Sequence, residues 1–123
     1  MVLYRLLDRN KKGREIMNTK ISYERAMEIA MQFAKKVRAE LDSQADVYLF
    51  GSVVTASNRP ESDIDIAVVS KEFTNNVCEN YARVNLLAFG VNENIDAQAV
   101  IYEDWLNKTP FTEEVQRQGV LVV

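Results

Sequence analysis

The 123-residue chain contains no histidine, a single cysteine, two prolines and four glycines. Without histidine, Ser-His-Asp triads, Cys-His nucleophiles and the common zinc sites are excluded. Cys78 by itself forms neither an internal disulfide nor a thiolate cluster. No run approaches the roughly 18 consecutive apolar residues that a bilayer span requires, and the start lacks the cationic, apolar and small-residue order of a signal peptide. These absences point to the cytoplasm and argue against a membrane role. Chemistry in such a chain rests on carboxylates, hydroxyls, amines or a hard cation.

What is present is a chain of common domain size with 47% hydrophobic residues, enough for one core. Its net charge is −3 and its isoelectric point about 5.0, which disfavours nucleic acid as a direct ligand, because sequence-independent affinity for phosphate backbones needs excess Lys and Arg. The charge is uneven. Residues 1–20 carry six basic side chains against Asp8 and Glu15, a net +4, and the remainder carries −7. This basic extension reads either as a solvated terminus or as a grip for a partner or RNA. The codons of Lys12 to Glu15 are compatible with a purine-rich ribosome-binding site ahead of Met17, so translation is expected to start at Met17. The intact mass of the protein from its native locus tests this.

Ser22 suits a helix N-cap and Glu24 the first turn. Ala26, Ile29, Ala30, Phe33, Val37 and Leu41 then recur at three- and four-residue spacing, predicting an amphipathic helix over 22–42. Val47 to Phe50 predicts a buried strand ending in a turn at Gly51, and Asp63 to Val69 a second strand. Residues 72–90 predict a helix with Val77, Tyr81, Val84, Leu87 and Ala88 inward and Gly90 as C-cap. Ile95 to Tyr102 predicts a third strand with Ile95, Ala97, Ala99 and Ile101 set against Asp96, Gln98 and Val100. Short helices follow around 103–107 and 112–118 with Pro110 between them, then an apolar tail, 120–123. The order implies an α/β (α+β) fold, a small mixed sheet flanked by helices. Trp105 and Phe111 read as packing of the terminal helices or as a partner patch, Tyr48 and Tyr81 as packing residues, and Cys78 as a small core residue.

Three features carry chemistry. Gly51-Ser52 after a buried strand frees backbone N–H groups and a hydroxyl to face an anion. Asp63 and Asp65 leave one face of a strand about 6.6 Å apart, with Ile64, Ile66 and Val68 opposite. That pair reads as a strand end running into solvent or as a cation site, since like charges repel without a counter-charge. Asp96 adds a third carboxylate if its strand is a neighbour. Oxygen ligands without His or thiolate favour Mg²⁺ or Mn²⁺, the usual ions of phosphoryl and nucleotidyl transfer.

Gly51-Ser52, ten intervening residues, Asp63-Ile64-Asp65 and the later Asp96 together resemble the DNA polymerase β-like nucleotidyltransferase superfamily. Over roughly residues 20–123 the size and the ending from Pro110-Phe111 to Gly119-Val120 resemble its minimal nucleotidyltransferase branch. The resemblance implies a palm-type nucleotidyltransferase domain at 21–123 behind the basic extension 1–20. It implies that Gly51, Ser52 and the adjacent backbone hold the triphosphate of ATP; Arg59 reads either as an ordinary loop arginine or as a cation that reaches back to the phosphates. It implies that Asp63 and Asp65 bind a pair of Mg²⁺ ions, and that Asp96 ligates the ion activating the acceptor and helps take its proton. Members of this branch are commonly antitoxins that transfer AMP to a tyrosine of a HEPN-type ribonuclease toxin. No segment is long enough to form a separate acceptor-binding domain, so a partner chain would supply that surface, and a homo-oligomer is compatible with the reading.

Many relatives place Arg and Gly where this chain has Thr55 and Ala56. Two alternatives therefore stand beside the enzyme reading: a binding-only antitoxin of the same fold, and transfer to a small molecule of the aminoglycoside type.

Overall fold

Ser22 Oγ accepts the N–H of Arg25 at 3.0 Å and opens helix α1 (Tyr23–Glu40), as the sequence predicts. The same device starts the two longer helices that follow: Asn76 Oδ1 accepts from Glu79 N ahead of α2 (Val77–Phe89), and Thr109 Oγ1 accepts from Thr112 N ahead of α4 (Pro110–Gln118). A short helix α3 (Tyr102–Asn107) precedes α4, and Pro110 lies inside α4 at its first turn, where its missing N–H costs nothing. The strands are β1 (Asp46–Phe50), β2 (Ile64–Ser70), β3 (Ile95–Ile101) and β4 (Val120–Val122). This structure, a computed structural model, describes residues 19–123; most of the predicted basic extension and the predicted start at Met17 lie outside the described residues.

The sheet order is β3-β2-β1-β4, with β1 antiparallel to both β2 and β4 and β2 parallel to β3. The mixed sheet expected from the sequence is therefore present. Its apolar tail is a fourth strand: Val47 pairs with Val122 and Leu49 with Val120, a pairing with no local signal in three residues.

Both sheet faces are covered. Helices α1 and α2 pack on one, burying Phe33, Val37, Val47, Leu49, Ile64, Ile66, Val68 and Val84. On the other, Ala67, Val69, Val100 and Val115 form a second cluster with Tyr48 and Trp105, whose rings lie 5.0 Å apart. This second layer corrects the placement of Val100, which the alternation sets with the polar residues but which α3 and α4 bury. It also confirms Trp105 as a packing residue, while Phe111 makes an edge contact with Phe50 at 5.5 Å and stays partly exposed.

Helix α2 departs most from expectation. Val77 and Tyr81 are exposed rather than inward, at 73% and 49%, and Cys78 is exposed rather than in the core. The reason is a polar anchor: Asn80 is buried, its amide donating to Thr74 O at 2.7 Å and accepting from Thr74 N at 3.0 Å, and this turns the first half of α2 outward. Val84 and Ala88 hold the buried stripe, with Leu87 partly covered. Asn85 then joins α2 to the sheet. Its Nδ2 donates to Ala97 O at 2.9 Å and its Oδ1 accepts Ala97 N at 3.2 Å, so one side chain closes part of the outer edge of β3.

Among the described residues no helix is long and apolar enough to cross a membrane.

Candidate active site

Topology brings the three sequence features to one end of the sheet. Phe50 at the end of β1 pairs with Asp65 near the start of β2, and Asp65 pairs with Asp96 near the start of β3. Adjacent strands lie about 4.8 Å apart, so Asp65 and Asp96 stand side by side on one sheet face. Asp63 precedes β2 by one residue, outside the strand in which the sequence reading placed it. It remains close enough for its charge to act on both Asp65 and Asp96.

The electrostatics are those of a cluster short of positive charge. Burial, then the charges of Asp96 and Asp63, push the Asp65 carboxyl from its ordinary 3.8 up to about 6. Burial and Asp63 also raise Asp96, opposed by a hydrogen bond from Gln98 Nε2 at 3.4 Å. Ionising all three at neutral pH calls for a cation. The donors are hard oxygens throughout, which fits Mg²⁺ or Mn²⁺. Among the described residues no group of three or more His, Cys, Asp or Glu side chains is gathered tightly enough to hold a metal by itself.

Gly51 turns the chain beside this cluster. Its φ of +82° suits glycine, and a Cβ there would collide with Asp65 Oδ2. A helical turn follows, with Val54 N donating to Gly51 O at 3.0 Å and Ser57 N to Ser52 O at 2.9 Å. The first N–H groups of such a turn, those of Ser52 and Val53, have no acceptor within it, and N–H groups left over in this way are suited to an anion.

The departures at Thr55 and Ala56 have distinct consequences. Thr55 Oγ1 approaches Gly51 O and Ser52 O, each at 3.4 Å, and Ser57 Oγ at 2.9 Å, so it braces the turn from within. Ala56 holds φ at 63°, the left-handed region, where a glycine is unstrained. Arg59 is exposed on the loop, its backbone N–H donating to Ser62 Oγ at 2.9 Å.

One feature had no sequence signal. A pocket of about 370 Å³ opens at the outer side of β3, lined by Asp63 and Asp96 together with Tyr81, Asn85, Phe89 and Glu93. Helical spacing marked Tyr81 as core, and only the packing of α2 against the β3 edge reveals it as a wall.

A family model described as a nucleotidyltransferase domain matches residues 30–119. Among curated proteins, none matches the sequence significantly. Solved structures with a similar fold include two forms of the toxin–antitoxin MntA-HpeT. A tyrosine-to-alanine form matches at 23% identity over 75% of this chain and 69% of the other, with a TM-score of 0.52. A form with two aspartates, two positions apart, changed to glutamate matches at 21% over 75% and 70%, with a TM-score of 0.54. A protein classed as a nucleotidyltransferase from Sulfolobus solfataricus matches at 22% over 85% and 89%, with a TM-score of 0.52.

Proposed function

The chain belongs to the nucleotidyltransferase domain family, and from that premise we propose that it is an antitoxin that transfers AMP from ATP to a tyrosine hydroxyl of a HEPN-type toxin. The observation that carries the chemistry is the pairing of Asp65 with Asp96, Asp63 alongside and Gly51 packed against Asp65. Support for the biological setting is the similarity to a pair named as toxin and antitoxin, in one form of which the altered aspartates have the spacing of Asp63 and Asp65.

In this reading the N–H groups after Gly51 and the Ser52 hydroxyl hold the β- and γ-phosphates, while Arg59 supplies the nearest loop cation. Asp63, Asp65 and Asp96 would hold Mg²⁺, which when bound neutralises phosphate charge and activates the acceptor oxygen. The acceptor oxygen forms a bond to the α-phosphorus as the bond from that phosphorus to the bridging oxygen breaks. Pyrophosphate leaves, and Asp96 helps pass the acceptor proton to water.

The test is the intact mass of the protein encoded beside this chain, after co-expression with the wild type and with Asp63→Ala/Asp65→Ala. An AMP-sized increment with the wild type alone is expected; no increment with either chain refutes the transfer. A second reading, a binding-only antitoxin, is favoured by Thr55 and Ala56 in the phosphate turn. It predicts neutralisation unchanged by Asp63→Ala.

A further inference from the structure

We infer that Lys20 is a phosphate-binding residue: held close to the Gly51-Ser52 turn, it gives the terminal phosphates of a nucleoside triphosphate the positive charge that the turn itself lacks. The inference rests on the transfer reaction proposed above and adds to it a group from outside the glycine and aspartate motifs.

The deficit of charge is plain in the residues. From Gly51 to Ser57 there is no charged side chain, so the turn offers an anion only N–H groups and hydroxyls. The stretch that follows, to Ser62, carries one cation, Arg59, and one anion, Glu61, a sum of zero. Gly51 packs against Asp65, whose carboxylate stands beside Asp96 and Asp63. A triphosphate entering the turn therefore meets negative charge on its carboxylate side and no cation within the turn. The departing pyrophosphate gains charge as its bond to the α-phosphorus breaks, and a cation near it stabilises that change.

The fold brings Lys20 to this place. Asn58, directly after the turn, is buried, and its Nδ2 donates to Ile21 O at 3.0 Å across 37 positions of sequence. Its neighbour Ser57 donates its backbone N–H to Ser52 O at 2.9 Å, so two hydrogen bonds and a single residue step lead from Ser52 to Ile21. The Ile21 side chain packs against the core cluster that includes Val53, the third residue of the turn. Ser22 then caps α1. Ile21 is thus fixed to the turn region through its carbonyl and its side chain, and Lys20, one residue earlier, is exposed. A flexible four-carbon stem lets its ammonium follow phosphates that lie within its reach. Lys20 also comes after Met17, so it is kept whichever methionine starts translation.

The test is calorimetric titration of the full-length chain with Mg²⁺ and α,β-methylene-ATP, at about 0.05 M and about 0.5 M salt. Lys20→Gln, an exposed change that leaves the core intact, should weaken binding about fivefold at low salt, and the gap should narrow at high salt. Lys20→Arg should bind as wild type does. Lys35→Gln removes the same charge from an exposed position about 18 Å further along α1 and should leave affinity unchanged. Equal affinity of Lys20→Gln and wild type at low salt overturns the inference. So does an equal loss in Lys35→Gln, which would make the effect one of net charge and not of position. No binding of the nucleotide by wild type refutes the transfer reaction itself, and the role of Lys20 falls with it.

Discussion

Replacing Asp65 with asparagine should stabilise the unliganded chain at neutral pH while removing its response to Mg²⁺ and ATP. In the folded chain, burial and the charges of Asp96 and Asp63 raise the Asp65 carboxyl to about 6, against an ordinary 3.8. A folded-state value raised in this way means the native chain holds the proton more tightly than the unfolded one. The stabilisation is fully present below about pH 4 and is lost as pH rises through 6. Two units correspond to about 3 kcal/mol, but Asp65 is only part-buried, and solvent screening reduces the figure to roughly 1 kcal/mol. Asparagine keeps the shape and cannot ionise. At pH 7.5 without ligands Asp65→Asn should therefore melt roughly 3–5 °C above wild type, and at pH 4 the two curves should coincide. Saturating Mg²⁺ with ATP should reverse the order by stabilising the wild type, about 2.7 kcal/mol at a hundredfold excess over Kd. Calorimetry at the two pH values checks this. A variant less stable than wild type at pH 7.5, or a gap that does not change with pH, refutes the electrostatic account of the cluster.

Gly51→Ala meets Asp65 Oδ2 at a positive φ and should cost about 2–4 kcal/mol and displace Asp65, read as a lower melting temperature and a weaker Mg²⁺–ATP response. Ala56→Gly relieves the left-handed backbone at φ 63° and should gain about 1 kcal/mol in chemical denaturation. Asn85→Ala removes both bonds to Ala97 and should cost about 1–3 kcal/mol, with faster hydrogen exchange at Ala97 N–H; unchanged exchange would show that the edge is held by other contacts.

Several parts of the fold are written locally. The caps at Ser22 and Gly90, the α1 stripe from Ala26 to Val37 and the three longer strands are each specified by neighbours within a turn or two, so periodicity and cap chemistry find them. The same logic failed on α2 because Val77 and Tyr81 satisfy helical spacing as well as the true stripe does. The choice between them was made by Asn80, whose bonds to Thr74 depend on the loop before the helix. It failed on Val100 because strand alternation says which residues share a face and not whether that face is covered. The candidate site was legible to the extent that residue type and spacing are chemical statements: a glycine turn, two aspartates two apart, and an aspartate on a later strand.

By itself, then, the sequence determined the chemical inventory, three carboxylates and a glycine-serine turn with no histidine and one isolated cysteine, because composition and spacing are properties of the chain. Only the tertiary structure decided that Asp65 and Asp96 pair across parallel strands, that the last residues close the sheet beside β1, and that α2 raises an aromatic wall beyond β3. Each of these is a contact between segments tens of residues apart. Such contacts are set by which faces the whole fold can bury together, and no local pattern carries that information.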